Sequence, residues 1–299
     1  MLVPLDFSDV TPRVVGVATQ MARATCESPL LLHVTLPDPP FVGYEPVPAT
    51  TPFDPEADSE AEHQELELWK DRITGLNSSV STLQMQGPAV EQILAAAEER
   101  HARMIVMGTH CHGALHDLLI GNVTHGVLHH ARCPVTVVPP GHGTEAPTAI
   151  RSIATLVDFS DLTDNVIEQT QLLARAFGSR VTLIHALPPD PLVVDFAPPP
   201  RSEVEAEAER ARLEHLAVEM RGFGLEVGFQ ETTGPVLDCL LDAVKDVSPD
   251  LIVMGSHGHG ALYNLFVGSI TAGIIQHAPC PVVVVPRTLE FWKGQRAAG

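Results

Sequence analysis

The sequence predicts an α/β protein built from two doubly wound parallel-sheet domains in tandem. Three observations carry this prediction. The 299 residues are twice the length of a domain of about 150 residues. Short, continuous apolar runs such as "DLIVMG" and "PVVVVP" alternate with amphipathic helical stretches, as strands do when both faces of a parallel sheet are covered. The chain also repeats itself: "PLDFSD" (Pro4 to Asp9) answers "LVDFSD" (Leu156 to Asp161), His33 answers His185, and "MIVMGTH" and "HARCPVTVVP" answer "LIVMGSH" and "HAPCPVVVVP".

The second copy shows the element order most clearly. A strand at "SIATLVD" leads to a helix from about Thr163 to Phe177, then to a strand at "RVTLIHA". After a Pro-rich loop, "SEVEAEAERARLEHLAVEMRG" reads as a helix whose first turns are acidic, as the helix dipole favours. The strand "LEVGFQET", a helix from Pro235 to about Val247, the strand "DLIVMG", a helix after Gly268 and the strand "PVVVVP" complete the unit. A stretch rich in Pro, Gly and Thr, Pro139 to Ala149, marks the joint. The expected organisation is therefore domain 1 at 1–140, a linker at 141–150, domain 2 at 151–287 and a C-terminal tail at 288–299.

Composition narrows the partners. The chain carries 18 Lys+Arg against 37 Asp+Glu, a formal charge of −19, which repels nucleic acid and anionic membranes. No apolar run approaches the roughly 20 residues of a membrane span, and the N-terminus has no leader-like pattern, so a cytoplasmic protein is expected. Five cysteines (Cys26, Cys111, Cys133, Cys239 and Cys280) form no C-x-x-C pair, which signals reduced thiols.

In doubly wound sheets ligands sit beyond the carboxyl ends of the strands. There the second copy places Asp158, Ala186 and the stretch "GSHGHGALYNLFVGSI" from Gly255 to Ile270. Gly255 and Gly258 are expected to turn tightly and uncover backbone N–H groups, and Gly268-Ser269 to open a helix whose N-terminus attracts phosphate. The Ser269 hydroxyl could cap that helix or donate to phosphate. Glycines alone would also be explained by turns, and Asp158 by satisfying nearby backbone N–H groups.

The spacing G-x-x-G, nine residues, then G-[ST] in "GSHGHGALYNLFVGS" resembles the nucleotide-binding motif of universal stress proteins. With "VDFSD" and "HAPCPVVVVP" the resemblance extends over both halves. It implies two flavodoxin-like (Rossmann-like, HUP-type) units that bind ATP, or AMP or ADP, usually with Mg²⁺, in a stress-response regulator or sensor. By the same resemblance Asp158 meets the adenine and ribose end, backbone near Ala186 meets the base, and Gly255, Gly258, Gly268 and Ser269 hold ribose and phosphates. It also implies that the last strands of the two units pair, giving an internal pseudo-dimer; association of two chains into a homodimer is left open.

No Lys or Arg lies between Gly255 and His277, so Mg²⁺, backbone dipoles or His257 and His259 must balance phosphate charge. The first copy, "GTHCHGALHDLLIGNV", keeps Asp6, Val34, Gly108 and Gly121 but carries Cys111 and Asn122 where the motif wants Gly and Ser. If position 111 needs positive φ, a side chain there costs roughly 1–2 kcal/mol. Nucleotide is therefore expected mainly in domain 2, with domain 1 a weaker second site.

Two rivals stand beside this reading. No P-loop, strand-placed G-x-G-x-x-G or G-x-S-x-G elbow is present, so an enzyme is not expected beyond slow ATP hydrolysis. His110, Cys111, His112 and His116 crowd one stretch and could ligate zinc or copper, although no separated second ligand pair accompanies them.

Overall fold

A computed structural model describes residues 1–35, 55–73, 76, 79–109, 120–140, 149–187, 203–257, 268–287 and 289. The first half runs β1 (Leu2–Leu5), α1 (Thr11–Thr25), β2 (Leu30–Thr35), α2 (Pro55–Arg72), β3 (Ser81–Gln86), α3 (Ala89–Glu99), β4 (Ile105–Gly108), α4 (Asn122–His130) and β5 (Val135–Val138). The second half repeats it: β6 (Ser152–Leu156), α5 (Thr163–Phe177), β7 (Arg180–Leu187), α6 (Glu203–Gly222), β8 (Val227–Thr233), α7 (Val236–Val247), β9 (Leu251–Gly255), α8 (Ser269–His277) and β10 (Val282–Val285). Every strand and helix expected of the second copy is present.

The strands form one ten-stranded sheet in the order β3-β2-β1-β4-β5-β10-β9-β6-β7-β8. Each half is parallel throughout, with the order of its strands reversing between the first and the fourth. The halves meet antiparallel, Val282 facing Val137 and Val284 facing Val135. All residues of β5 and β10 are buried, which explains why β10 reads as four valines and β5 as three valines around a buried Thr136. Burying each valine contributes on the order of 2 kcal/mol before chain entropy is counted.

Strand side chains alternate between two cores. In β9, Leu251 and Val253 join one face with Val14, Met21, Val166 and Met220. Ile252 and Met254 join the other with Ile93, Val127, Leu240 and Ile274. Helices α1, α2, α5 and α6 therefore cover one face and α3, α4, α7 and α8 the other, so the central strands are apolar at most positions.

The halves differ at the ends of matching helices. Helix α5 closes on Gly178 at φ 67°, the residue type that enters the left-handed region at least cost. Helix α1 closes the same way on Cys26 at φ 57°. Among the described residues no helix is long and apolar enough to cross a membrane.

Candidate functional site

The sheet brings the predicted second-half residues into one line. Strands β7, β6 and β9 are neighbours, with Leu156 beside Ile184 and Thr155 beside Val253. Ala186, Asp158 and Gly255 therefore emerge side by side at the carboxyl ends, where the strand order reverses. The Val157 N–H donates to the Ile184 carbonyl at 2.9 Å. By the alternation of a parallel ladder, Ala186 presents its own N–H and C=O to that same side, beyond the last residue of β6. The first half aligns Val34, Asp6 and Gly108 in the same way.

Each aspartate is locked into a turn by its own neighbour. Asp158 Oδ1 accepts from the Ser160 N–H at 3.0 Å and from the Ser160 hydroxyl at 2.7 Å. Asp6 Oδ1 accepts from Ser8 at 3.1 and 2.6 Å. Both carboxylates are exposed, and these bonds all fall on Oδ1, so Oδ2 faces no such local demand. Turn formation thus accounts for one oxygen of Asp158.

A clamp that the sequence did not reveal holds these turns. Phe159 and Phe7 sit at φ 58° and 57°, a conformation that costs an L residue roughly 1–2 kcal/mol. Each ring packs on a histidine: Phe159 on His185 at 4.7 Å and Phe7 on His33 at 4.3 Å between centroids. His185 Nδ1 bonds the Val157 carbonyl at 2.7 Å, and His33 Nδ1 the Leu5 carbonyl at 2.8 Å. Because a carbonyl only accepts, Nδ1 carries the proton in both. The opposite nitrogens face Glu209 at 3.3 Å and Glu62 at 3.5 Å. Arg212 lies over Phe159 at 4.4 Å. The traces of this clamp in the sequence are the match of His33 with His185 and of Phe7 with Phe159 in the repeated "DFSD", and neither carried a role there.

The same bonds close the turn after β9 and the turn after β4. The Gly268 N–H donates to the Ser256 carbonyl at 3.1 Å, and the Thr271 hydroxyl to the Gly255 carbonyl at 3.1 Å. In the first half Gly121 donates to Thr109 at 3.1 Å and Thr124 to Gly108 at 2.8 Å. Gly255 is strand, not turn. Its need for glycine is room: a Cβ would lie 3.2 Å from Leu162 Cδ1 and 3.3 Å from the His257 carbonyl oxygen.

The capping expectation is corrected at both ends. Gly268 and Gly121 occupy the N-cap positions of α8 and α4, with no side-chain cap bond. Ser269 and Asn122 are the first helical residues and are exposed, so neither caps. A side chain at the first helical position cannot reach the N–H groups that a cap residue serves.

Charge at this end extends beyond the motif. Arg287, two residues past β10, pairs with Asp161 at 2.8 Å, so the cation lies outside the stretch from Gly255 to His277. His257 Nδ1 bonds the Ser256 hydroxyl at 2.9 Å, while its Nε2 is buried without a partner among the described residues. Gly258, His259 and the candidate metal ligands His110, Cys111, His112 and His116 lie outside the described residues. Among the described residues, no group of three His, Cys, Asp or Glu side chains could hold a metal ion.

Comparisons with known proteins agree with this arrangement. A universal stress protein of Mycobacterium tuberculosis is 28% identical over 192 residues, 61% of this chain and 61% of the relative; the match thus spans about three fifths of that relative's length. One from Thermus aquaticus is 32% identical over 140 residues, 45% of this chain and 98% of that protein. The solved structure of a universal stress protein from Archaeoglobus fulgidus superposes with a TM-score of 0.69 at 20% identity, covering 96% of this chain and 98% of that one. A functionally unknown protein from Pseudomonas aeruginosa gives 0.65 at 16% identity, covering 97% and 92%. At these identities the superpositions establish the fold. The model of the universal stress protein family matches residues 1–139 and again 149–286, and the chain belongs to that family.

Proposed function

We propose that the chain binds an adenine nucleotide, ATP in the first instance, mainly in its second half, and acts as a nucleotide-dependent stress-response regulator in the cytoplasm. It would do so through two universal-stress units, residues 1–140 and 151–287. One observation carries the reading: Ala186, Asp158, Gly255 and Gly268 stand in order across the strand reversal, offering in turn open backbone, a carboxylate oxygen and a side-chain-free helix start. An adenine ring is read by backbone N–H and C=O, a ribose by a carboxylate, and phosphates by a helix N-terminus.

Mg²⁺ fits this donor set, because it takes oxygen ligands and arrives with phosphates. The Ser269 hydroxyl is a side-chain oxygen at the phosphate end that would help hold it, and the ion would supply the positive charge that the motif lacks. Regulation is favoured over catalysis because no Lys or Arg lies between Gly255 and His277 to meet charge developing on a transferred phosphoryl group. The ligand would act by its differential affinity for two states of the chain.

The test is mass spectrometry of small molecules released from freshly purified protein, with titration of MgATP into the stripped chain. Wild type is expected to carry or bind adenine nucleotide, and Gly258→Cys, which installs the first half's residue, to lose most of it. A wild-type protein that carries no nucleotide and binds none added would end the reading.

A further inference from the structure

The second half's phosphate loop has a neighbour from the first half. Strand β10 pairs in parallel with β9, Val285 beside Gly255, and antiparallel with β5, Val284 beside Val135. The carboxyl end of β9 therefore lies two strand spacings, about 10 Å, from the start of β5. Helix α4 ends at His130, five residues before Val135. The antiparallel seam thus carries the C-terminal turn of α4 to the mouth of the second half, although α4 begins at the mouth of the first.

Two histidines lie on either side of this seam, near enough for His257 to act on the charge of His129. His129 Nδ1 and His257 Nε2 are both buried and have no hydrogen-bond partner among the described residues. A buried polar atom left so is uncommon and points to a missing partner. The adjacent His130 is engaged differently: its Nδ1 bonds the Gly126 carbonyl at 2.9 Å, as His277 bonds Gly273 at 2.9 Å in the second half. His129 has no such counterpart, for the repeat places Gln276 at its position. It is a departure from symmetry beside the seam.

We propose that His129, carried by the first half, is a phosphate-binding residue of the second half's site, donating a hydrogen bond to an anionic group seated beside His257, Gly255 and Gly268. The proposal rests on the nucleotide reading above and names where that site finds cationic charge. Burial first, then the neighbouring His130, His125 and His257, hold His129 below its ordinary value. Those histidines, from its own helix and from the turn after β9, are the groups acting on it. In the empty protein it is therefore neutral at neutral pH. A phosphate alongside favours the imidazolium instead, so binding takes up a proton and tightens as pH falls.

The experiment titrates the full chain with MgATP and with adenosine, at about pH 6 and about pH 8, using wild type and His129→Gln. Glutamine keeps a donor but cannot take the charge, and it is what the second half itself carries at the matching position. His129→Gln is expected to bind MgATP about tenfold more weakly at the lower pH, to come within about twofold of wild type at the higher pH, and to take up fewer protons on binding. Adenosine, which has no phosphate, should bind both proteins alike. Equal MgATP affinity and equal proton uptake at the lower pH overturn the proposal while leaving the nucleotide reading intact. So does a variant that loses adenosine as strongly as MgATP, since His129 would then be holding structure. If wild type binds neither ligand, the nucleotide reading fails and this proposal with it.

Discussion

The two halves close their loops with the same bonds, Gly268 to Ser256 and Thr271 to Gly255 in one, Gly121 to Thr109 and Thr124 to Gly108 in the other. What surrounds those loops differs. The second half has Arg287 held by Asp161 and has His257 near enough to His129 across the seam to act on its charge. The repeat puts Pro140 and Gln276 at the positions matching Arg287 and His129. Duplication has therefore preserved the hydrogen bonds that shape the backbone and varied the side chains that set local charge. Scaffold and affinity are separable here, and each can be tested without disturbing the other.

The largest expected effect concerns where the halves should be indistinguishable. Burial pushes both the Cys133 and the Cys280 thiols up to about 12. At neutral pH each then has a thiolate fraction on the order of a thousandfold below that of a free cysteine. Alkylation followed by peptide mass analysis should label exposed Cys26 rapidly and half-exposed Cys239 next, sparing both buried thiols until the protein unfolds. Rapid labelling of Cys280 but not Cys133 would break the equivalence of the two halves.

Next in size is the contrast between the matching aspartates. Asp158→Ala should weaken MgATP binding about tenfold or more, the scale of a lost hydrogen bond to a charged group. Asp6→Ala should leave the same titration within about twofold. A comparable loss from both would mean that the halves share the ligand equally. Smallest is the helix end: Cys26→Gly gives α1 the closure that Gly178 already gives α5, and should raise stability by about 1 kcal/mol in denaturant unfolding. No gain would show that the first half has relaxed around Cys26.

Much of the fold could be read from the residues because a parallel sheet covered on both faces leaves few alternatives. Runs such as "VVVV" in β10 must be buried strands, and the repeat supplied the second half's counterpart of each element. The mouth of the site was legible as a set of positions, less so as a set of reasons. Gly255 reads as a turn glycine, yet it is strand, kept small by Leu162 at the start of α5. Ser269 reads as a cap, yet Gly268 takes that place. The packing of Phe159 on His185 joins the turn after β6 to β7, and His129 reaches the second mouth only through the register of β5 on β10. Contacts of that kind depend on three-dimensional pairing and leave no local pattern.

The seam itself has a thermodynamic consequence. Two separate copies would have to find each other, and their pairing would weaken on dilution; within one chain the partner strand is present at an effective concentration set by the connection alone. The valine junction thus forms at any protein concentration, and neither half needs to keep a surface that matches its own copy. Freed from that symmetry, one half can spend side chains on its sibling's ligand, and the two mouths, facing opposite ends of a continuous sheet, can present different chemistry to different partners.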